Sequence, residues 1–267
     1  GTQTQASTFA STNLKFGEGV VSAEALTTSG FDRISLRADH SVALQAGANL
    51  ARSGNAPLQS VVLNAPVIDL ADQGVHLVQA NHVGMGVFSP AVIQRAATPQ
   101  ATTGSQVAAQ GSLGGEGVLT LQAGLIEVSG DVAVKGANDT TLDARLGRNG
   151  GTTRNNGEIR LIGAREEGTS DMTGRLSYAG SLSMRAGQLY ATTLSDFTLK
   201  GFDSSTGDKS TLDLVAPAGG STSQAPLSAL ASLTLDADTV TIGGNIHQPF
   251  GSIDIKATQL NVTEGGR

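Results

Sequence analysis

Hydrolysis or elimination at a glycosidic bond asks for two carboxylates held a few ångströms apart, and calcium capture asks for several. The acids that alternate with apolar residues here, Asp69, Glu127, Asp143, Asp236 and Asp254, each stand alone. No Asp-Asp pair occurs, and Glu166-Glu167 sits in a charged stretch. Asp236 and Asp254, 18 residues apart, meet only if the chain winds with about that period, and their phases (Leu-Asp-Ala against Ile-Asp-Ile) match imperfectly. Arg145, Arg148, Arg154, Arg160 and Arg165 form the pattern that would capture a sulfated or phosphorylated polymer. Residues 138–175 nevertheless hold six Arg and six Asp/Glu, so the segment is neutral overall. His40, His76, His82 and His247 show no metal-ligand spacing, and there is no cysteine to join them. Neither a phosphate-binding Gly-Lys-Ser/Thr loop nor calcium nonapeptides are present. The residues therefore predict no catalytic, cofactor-binding or metal site; the five arginines are the one candidate binding group.

The segments that must carry these side chains alternate with period two. In Leu233–Ile242, Leu233, Leu235 and Ala237 point one way, the phase slips after the alanine, and Val240 and Ile242 resume the apolar side. That is a strand, a corner and a second strand. The same pattern returns at Ile253–Val262, 20 residues on, and at Val61–Leu70 and Leu119–Val128. The recurrence predicts an all-β fold, a right-handed parallel β-helix of roughly 20-residue coils with loop insertions. About ten to twelve coils at ~4.8 Å each would make a rod of roughly 50–60 Å. A sandwich, the rival, needs antiparallel hairpins that this spacing does not suggest.

Composition agrees. Thirty-five glycines, 15% charged residues and abundant Ala, Ser and Thr suit short strands and frequent turns. The hydrophobic fraction is 39%, and no window approaches ~20 uninterrupted apolar residues, so no membrane insertion is expected. A net charge of −6 argues against nucleic acid as a partner. The absence of cysteine excludes disulfides and fits a chain that crosses membranes unfolded. Aromatic residues are 3% with no Trp, too few for the stacking platforms of a deep sugar groove; Phe31, Phe197 and Phe250 fall in apolar phase and read as core or corner packing. The start, Gly1-Thr-Gln-Thr, has no signal-peptide pattern and no initiator Met, as expected of a segment cut from a longer precursor. Along the chain, residues 1–29 read as an opening coil or cap of a single segment spanning 1–267. Residues 81–116 and 137–175 break the alternation and read as irregular or inserted stretches.

Four phrases carry a family resemblance: Gly30-Phe-Asp-Arg-Ile-Ser-Leu-Arg-Ala38, Leu63-Asn-Ala-Pro-Val-Ile68, Leu189-Tyr-Ala-Thr-Thr-Leu-Ser-Asp-Phe-Thr-Leu199 and Pro249-Phe-Gly-Ser-Ile-Asp-Ile-Lys-Ala257. With the strand-corner repeats, they resemble the filamentous-haemagglutinin-type exoproteins of Gram-negative bacteria, exported by two-partner secretion, and in particular an uncharacterised domain toward the C-terminal end of such proteins. The resemblance implies a non-enzymatic structural and binding segment of a secreted or cell-surface adhesin, working in adhesion or aggregation. Its implied partners are a receptor or glycan on a host or neighbouring cell and the outer-membrane secretion partner of the parent protein. Two alternatives stand beside it: a β-helical polysaccharide lyase or hydrolase, and an inert shaft with no ligand of its own.

Overall fold

The computed structural model describes residues 17–45, 47–52, 56–88, 104–109, 113–147, 155–165, 170–221 and 223–264. The chain begins with a short helix, α1 (Ala23–Thr28), capped by the Ser22 hydroxyl accepting from the Ala25 N–H. Ala23 and Leu26 of α1 pack against the end of the core. From there the chain visits three ladders of strands, here A, B and C, in a fixed order. The first level is β1 (Arg33–Arg37) in A, β2 (Val42–Leu44) in B and a single bridging residue, Leu50, in C. The second is β3 (Leu58–Asn64) in A, β4 (Val67–Leu70) in B and the first half of β5 (Val75–Gly86) in C. The second half of β5 turns the corner into A. The chain then leaves the ladders, forms α2 (Gly104–Ala109), and returns as β6 (Gly117–Gln122) in C.

The next level is complete: β7 (Leu125–Ser129) in A, β8 (Asp131–Lys135) in B, β9 (Ala137–Asp143) in C. So is the following one, β10 (Glu158–Ile162) in A, β12 (Met172–Ala179) in B and β13 (Ser181–Arg185) in C, with the two-residue β11 (Ala164–Arg165) lying against the start of β12. Then come β14 (Gln188–Ala191), β15 (Ser195–Phe202) and β16 (Thr211–Val215). The last two levels hold β17 (Ser232–Asp236) and β18 (Thr239–Gly243), then a bridge from Ile246 to Leu189 in A, β19 (Ser252–Lys256) and β20 (Gln259–Val262). Hydrogen bonding gathers the strands into sheets of twelve and eight, the larger being ladders A and C joined through β5. Every pairing between described strands is parallel except β11 with β12. The fold is all-β, and among the described residues no helix is long and apolar enough to cross a membrane.

Parallel register lays like on like. Ile34, Val61, Val83, Ile126, Ile159 and Leu189 stack in A, and Leu176, Leu199, Leu235 and Ile255 stack in B. A single aliphatic core runs between the ladders. Its largest aromatics are accommodated by glycine. Phe197 on β15 lies opposite Gly174 on β12, and Tyr178 on β12 lies opposite Gly201 on β15, so each ring covers the strand that lacks a side chain. The Tyr178 hydroxyl donates to the Thr211 carbonyl, and burial raises its pKa above the usual phenol range.

The structure departs from the sequence expectation in three ways. Steps between levels are unequal: 20 residues from Leu235 to Ile255, 22 from Val61 to Val83, 43 from Val83 to Ile126. Among the described residues ladder C has eight levels (Leu50, β5, β6, β9, β13, β16, β18, β20), a stack of roughly 34 Å at ~4.8 Å per level rather than ten to twelve coils. Second, the stretches expected to be irregular contain regular strand: 81–86 finishes β5, and 137–143, 158–162, 164–165 and 172–175 belong to β9, β10, β11 and β12. Thr140 in an inward position of β9 had obscured the alternation there. Third, Phe197 is buried but Phe31 and Phe250 are exposed.

The excursion before β6 is a genuine departure from the ladders. Ladder B has no strand at that level, and β4 pairs directly with β8, Ile68 opposite Val134. Helix α2 instead covers the outside of B, where Ala108 and Leu113 bury Ala133 of β8 and Ala179 of β12. The approach is close because the contact residues are small: a Cβ on Gly104 would lie 2.5 Å from the Val132 carbonyl carbon.

Candidate functional site

The outer face of ladder A carries the densest polar assembly among the side chains described. Its positions are set by register. Ser60 on β3 lies opposite His82 on β5, Glu127 on β7 lies opposite Arg160 on β10, and Arg160 lies opposite Tyr190 on β14. Alternation sends each of these outward while Val61, Val83, Ile126, Ile159 and Leu189 beside them go inward. The result is a chain of contacts across five strands drawn from 130 residues of sequence. Ser60 Oγ meets His82 Nδ1 at 2.9 Å, and His82 Nε2 meets Glu127 Oε2 at 2.9 Å. Arg160 lies 3.5 Å from Glu127 and donates from Nε and Nη2 to Glu158 Oε2 at 3.0 and 2.7 Å. Tyr190 donates to the same Glu158 oxygen at 3.2 Å, and the guanidinium lies over its ring.

Ser60, His82 and Glu127 have the order of a nucleophile relay. With Nε2–H donating to the carboxylate, Nδ1 is left to accept the serine proton. What the arrangement lacks is a place for developing negative charge. Ser60 sits in mid-strand, where neighbouring backbone N–H groups are spent on ladder pairing, so no amide pair converges above its oxygen. The assembly lies on a flat sheet face, and its chemistry is that of a hydrogen-bonded zipper linking levels.

Its electrostatics follow. The His82 hydrogen bond holds the Glu127 carboxyl below its ordinary value of 4.5, against the opposing effect of burial, with Arg160 adding to the lowering. Burial pushes the Tyr190 phenol up. A second histidine plays a different part. His76 is fully buried, with Nε2 2.7 Å from Asp72 Oδ1 and Nδ1 3.1 Å from the Ala48 carbonyl. The backbone N–H groups of Gly47 and Gly74 hold the Asp72 carboxyl far below the carboxylate range, and His76 contributes further. Both acids are depressed in the folded state. Their stabilisation is therefore complete above the ordinary carboxylate range and is lost as pH falls through the folded values. Urea-unfolding free energy should hold steady near neutral pH and decline below about pH 4, and Asp72→Asn with Glu127→Gln should flatten that decline. An unchanged acid slope in the double variant would contradict the assignment.

The residues singled out from the sequence are scattered. Arg145 follows β9 and is held bidentately by Asp143, with Nε to Oδ1 at 2.8 Å and Nη2 to Oδ2 at 2.7 Å. Arg160 belongs to the zipper on ladder A, and Arg165 lies on β11 beside ladder B. Arg148 and Arg154 lie outside the described residues. The three described arginines thus stand on three different elements, and two of them are neutralised where they stand. The lone acids are likewise matched: Asp69 with Lys135 at 3.1 Å, Asp236 with Lys200 at 2.8 Å, Asp254 with Lys256 at 3.5 Å. Asp236 and Asp254 are not register partners, since Lys256 lies opposite Asp236 and Thr234 opposite Asp254. The most open concavity, a groove of about 330 Å³ between ladders B and C, is lined by these same paired charges, Lys200, Asp236 and Lys256. Among the described residues no three His, Cys, Asp or Glu side chains are grouped to hold a metal.

Sequence reasoning missed Ser60 altogether and gave His82 no role, because the zipper is assembled across 22- and 45-residue separations that periodicity does not reveal. It also missed one corner. His76, Val78, Ala80, Val83 and Met85 follow the same spacing as Leu233–Ile242, with a histidine standing at the first apolar position. Compared with known proteins, the chain matches no family model, no curated protein and no solved structure.

Proposed function

We propose that the chain winds as a right-handed parallel β-helix and serves as a non-enzymatic structural and binding segment of a secreted filamentous adhesin, in contact with cell surfaces. The winding is supported by the fixed A, B, C order of parallel strands, since parallel crossovers are right-handed in about 98% of cases. The functional reading rests on one observation: each outward acid that could have served catalysis is tied to a cation or histidine on its own or an adjacent level. Such pairs lock levels together and leave a stiff, charge-balanced surface from which loops reach a partner. The labelled chain should bind host or neighbouring bacterial cells saturably and release no reducing sugar or unsaturated product from a polysaccharide panel. Turnover of any glycan would reject the scaffold reading, and absence of retention would favour an inert shaft.

The Ser60–His82–Glu127 relay supports a second reading, acyl transfer at an ester. Under the scaffold reading, Ser60→Ala leaves the hydrolysis of an activated ester such as p-nitrophenyl acetate at the wild-type background. A loss of about 100-fold or more would establish the relay as catalytic.

A further inference from the structure

Three turns entering ladder B stack one over another, and each places a bulky apolar residue in backbone conformation that favours glycine. Leu194, Leu230 and Phe250 have φ of 60°, 58° and 54°. Each stands two residues before a register-matched strand position, Asp196, Ser232 and Ser252. The Leu194 N–H donates to the Ala229 carbonyl, and the Leu230 N–H donates to the Pro249 carbonyl, so the turns form a ladder of their own. Thr192 and Gln248 close the first and third turns by accepting from the Ser195 and Gly251 N–H groups. Leu194 and Phe250 therefore sit at the third turn position, where a positive φ calls for Gly or Asn.

The side chains do not repay this strain within the fold. Leu194, Leu230 and Phe250 are 61%, 62% and 89% exposed, and Leu227 beside them is wholly exposed. A leucine in left-handed backbone is disfavoured, and one with its side chain in water gains little packing to offset that. Residues 226–232 contain no ionisable side chain, and the one in 246–253, His247, is bonded to Gln188. The flanks, Thr192, Thr193, Ser228 and Gln248, are neutral and polar.

We propose that this ridge is a peripheral lipid-contact site, in which Leu194, Leu227, Leu230 and Phe250 insert into the interface of a zwitterionic bilayer. Four separate side chains on a convex corner need no shaped complement in a fluid hydrocarbon boundary. They expose on the order of several hundred Å², short of the ~800 Å² per partner typical of a stable protein interface. The uncharged flanks and the net charge of −6 select against attraction to anionic headgroups. This contact is peripheral and independent of the adhesin reading.

The chain lacks tryptophan, so Phe250→Trp provides a single reporter. With phosphatidylcholine vesicles its emission should shift to the blue and be quenched by brominated acyl chains. The triple variant Leu194→Asn, Leu230→Asn, Phe250→Asn, whose residues tolerate positive φ, should melt at or above the wild-type temperature. It should also lose vesicle co-sedimentation by about tenfold or more for each side chain removed. A wild-type chain that stays in the supernatant, a triple variant that still binds, or one that melts lower because these side chains serve packing would each overturn the proposal. Retention on intact cells but not on vesicles, abolished in the triple variant, would assign the ridge to a protein partner and likewise overturn it.

Discussion

Phe197→Ala is expected to lower the free energy of unfolding by about 3–5 kcal/mol, the cost of emptying a buried aromatic site. The ring is fully buried and stands between Gly174 and Leu233 in register. Its geometry makes the companion result more informative. A Cβ built on Gly174 would collide with the Phe197 ring, so Gly174→Ala alone should destabilise by about 1–3 kcal/mol through overpacking. In the Phe197→Ala background the same methyl meets the vacated space and should cost little. The two substitutions should therefore fall short of additivity by more than about 1 kcal/mol in a denaturant-unfolding cycle. Additive losses would mean that the ring does not cover the glycine and that the β12–β15 register is misplaced.

The second large effect belongs to the point where the chain leaves the ladders. Gly86 ends β5 at φ 108°, outside the conformations that L side chains adopt readily, and a Cβ there would strike the Ser129 carbonyl oxygen. That oxygen accepts from the Val87 N–H at 2.8 Å, and the Ser129 hydroxyl donates back to the Val87 carbonyl at 2.7 Å. Gly86→Ala should lose about 2–4 kcal/mol, strain and overpacking together. Thermal or urea unfolding checks this, and Gly207→Ala serves as the comparison. Gly207 has φ 89° but open space around it, so its substitution carries the strain alone. Equal losses at the two positions would show that the contact with Ser129 contributes nothing.

How much of this was legible in the sequence depends on what the repeat encodes. The pattern of Leu233–Ile242 was read as one coil, but it describes a corner. It turns A into B at Val61–Leu70, C into A at Leu119–Val128, and B into C at Leu233–Ile242. Its alanines, Ala65, Ala123 and Ala237, are buried where the phase slips, a place with room for a methyl group and little more. A corner pattern foretells the ladders and their aliphatic rungs correctly. It carries no information on how many residues separate one corner from the next, which is why a uniform 20-residue period failed everywhere except the final levels. The acids were legible as isolated, but not as matched: Lys135 meets Asp69 across 66 residues, a distance set by the missing B strand. The strained turns were hidden because Leu194, Leu230 and Phe250 look like core residues in one dimension. Their backbone conformation, which turns them outward, has no apolar signature.

The claim beneath all of this is that parallel strands stack in register across unequal stretches of chain, with one level absent from ladder B. Asp69→Cys with Lys135→Cys tests it most directly, because the chain has no other thiol and parallel partners lie ~4.8 Å apart, within disulfide range. The folded double variant should oxidise readily to an intrachain disulfide while retaining its strand circular dichroism. Thiols that remain free in the folded chain would contradict the β4–β8 pairing, and with it the skipped level on which the ladder assignments depend.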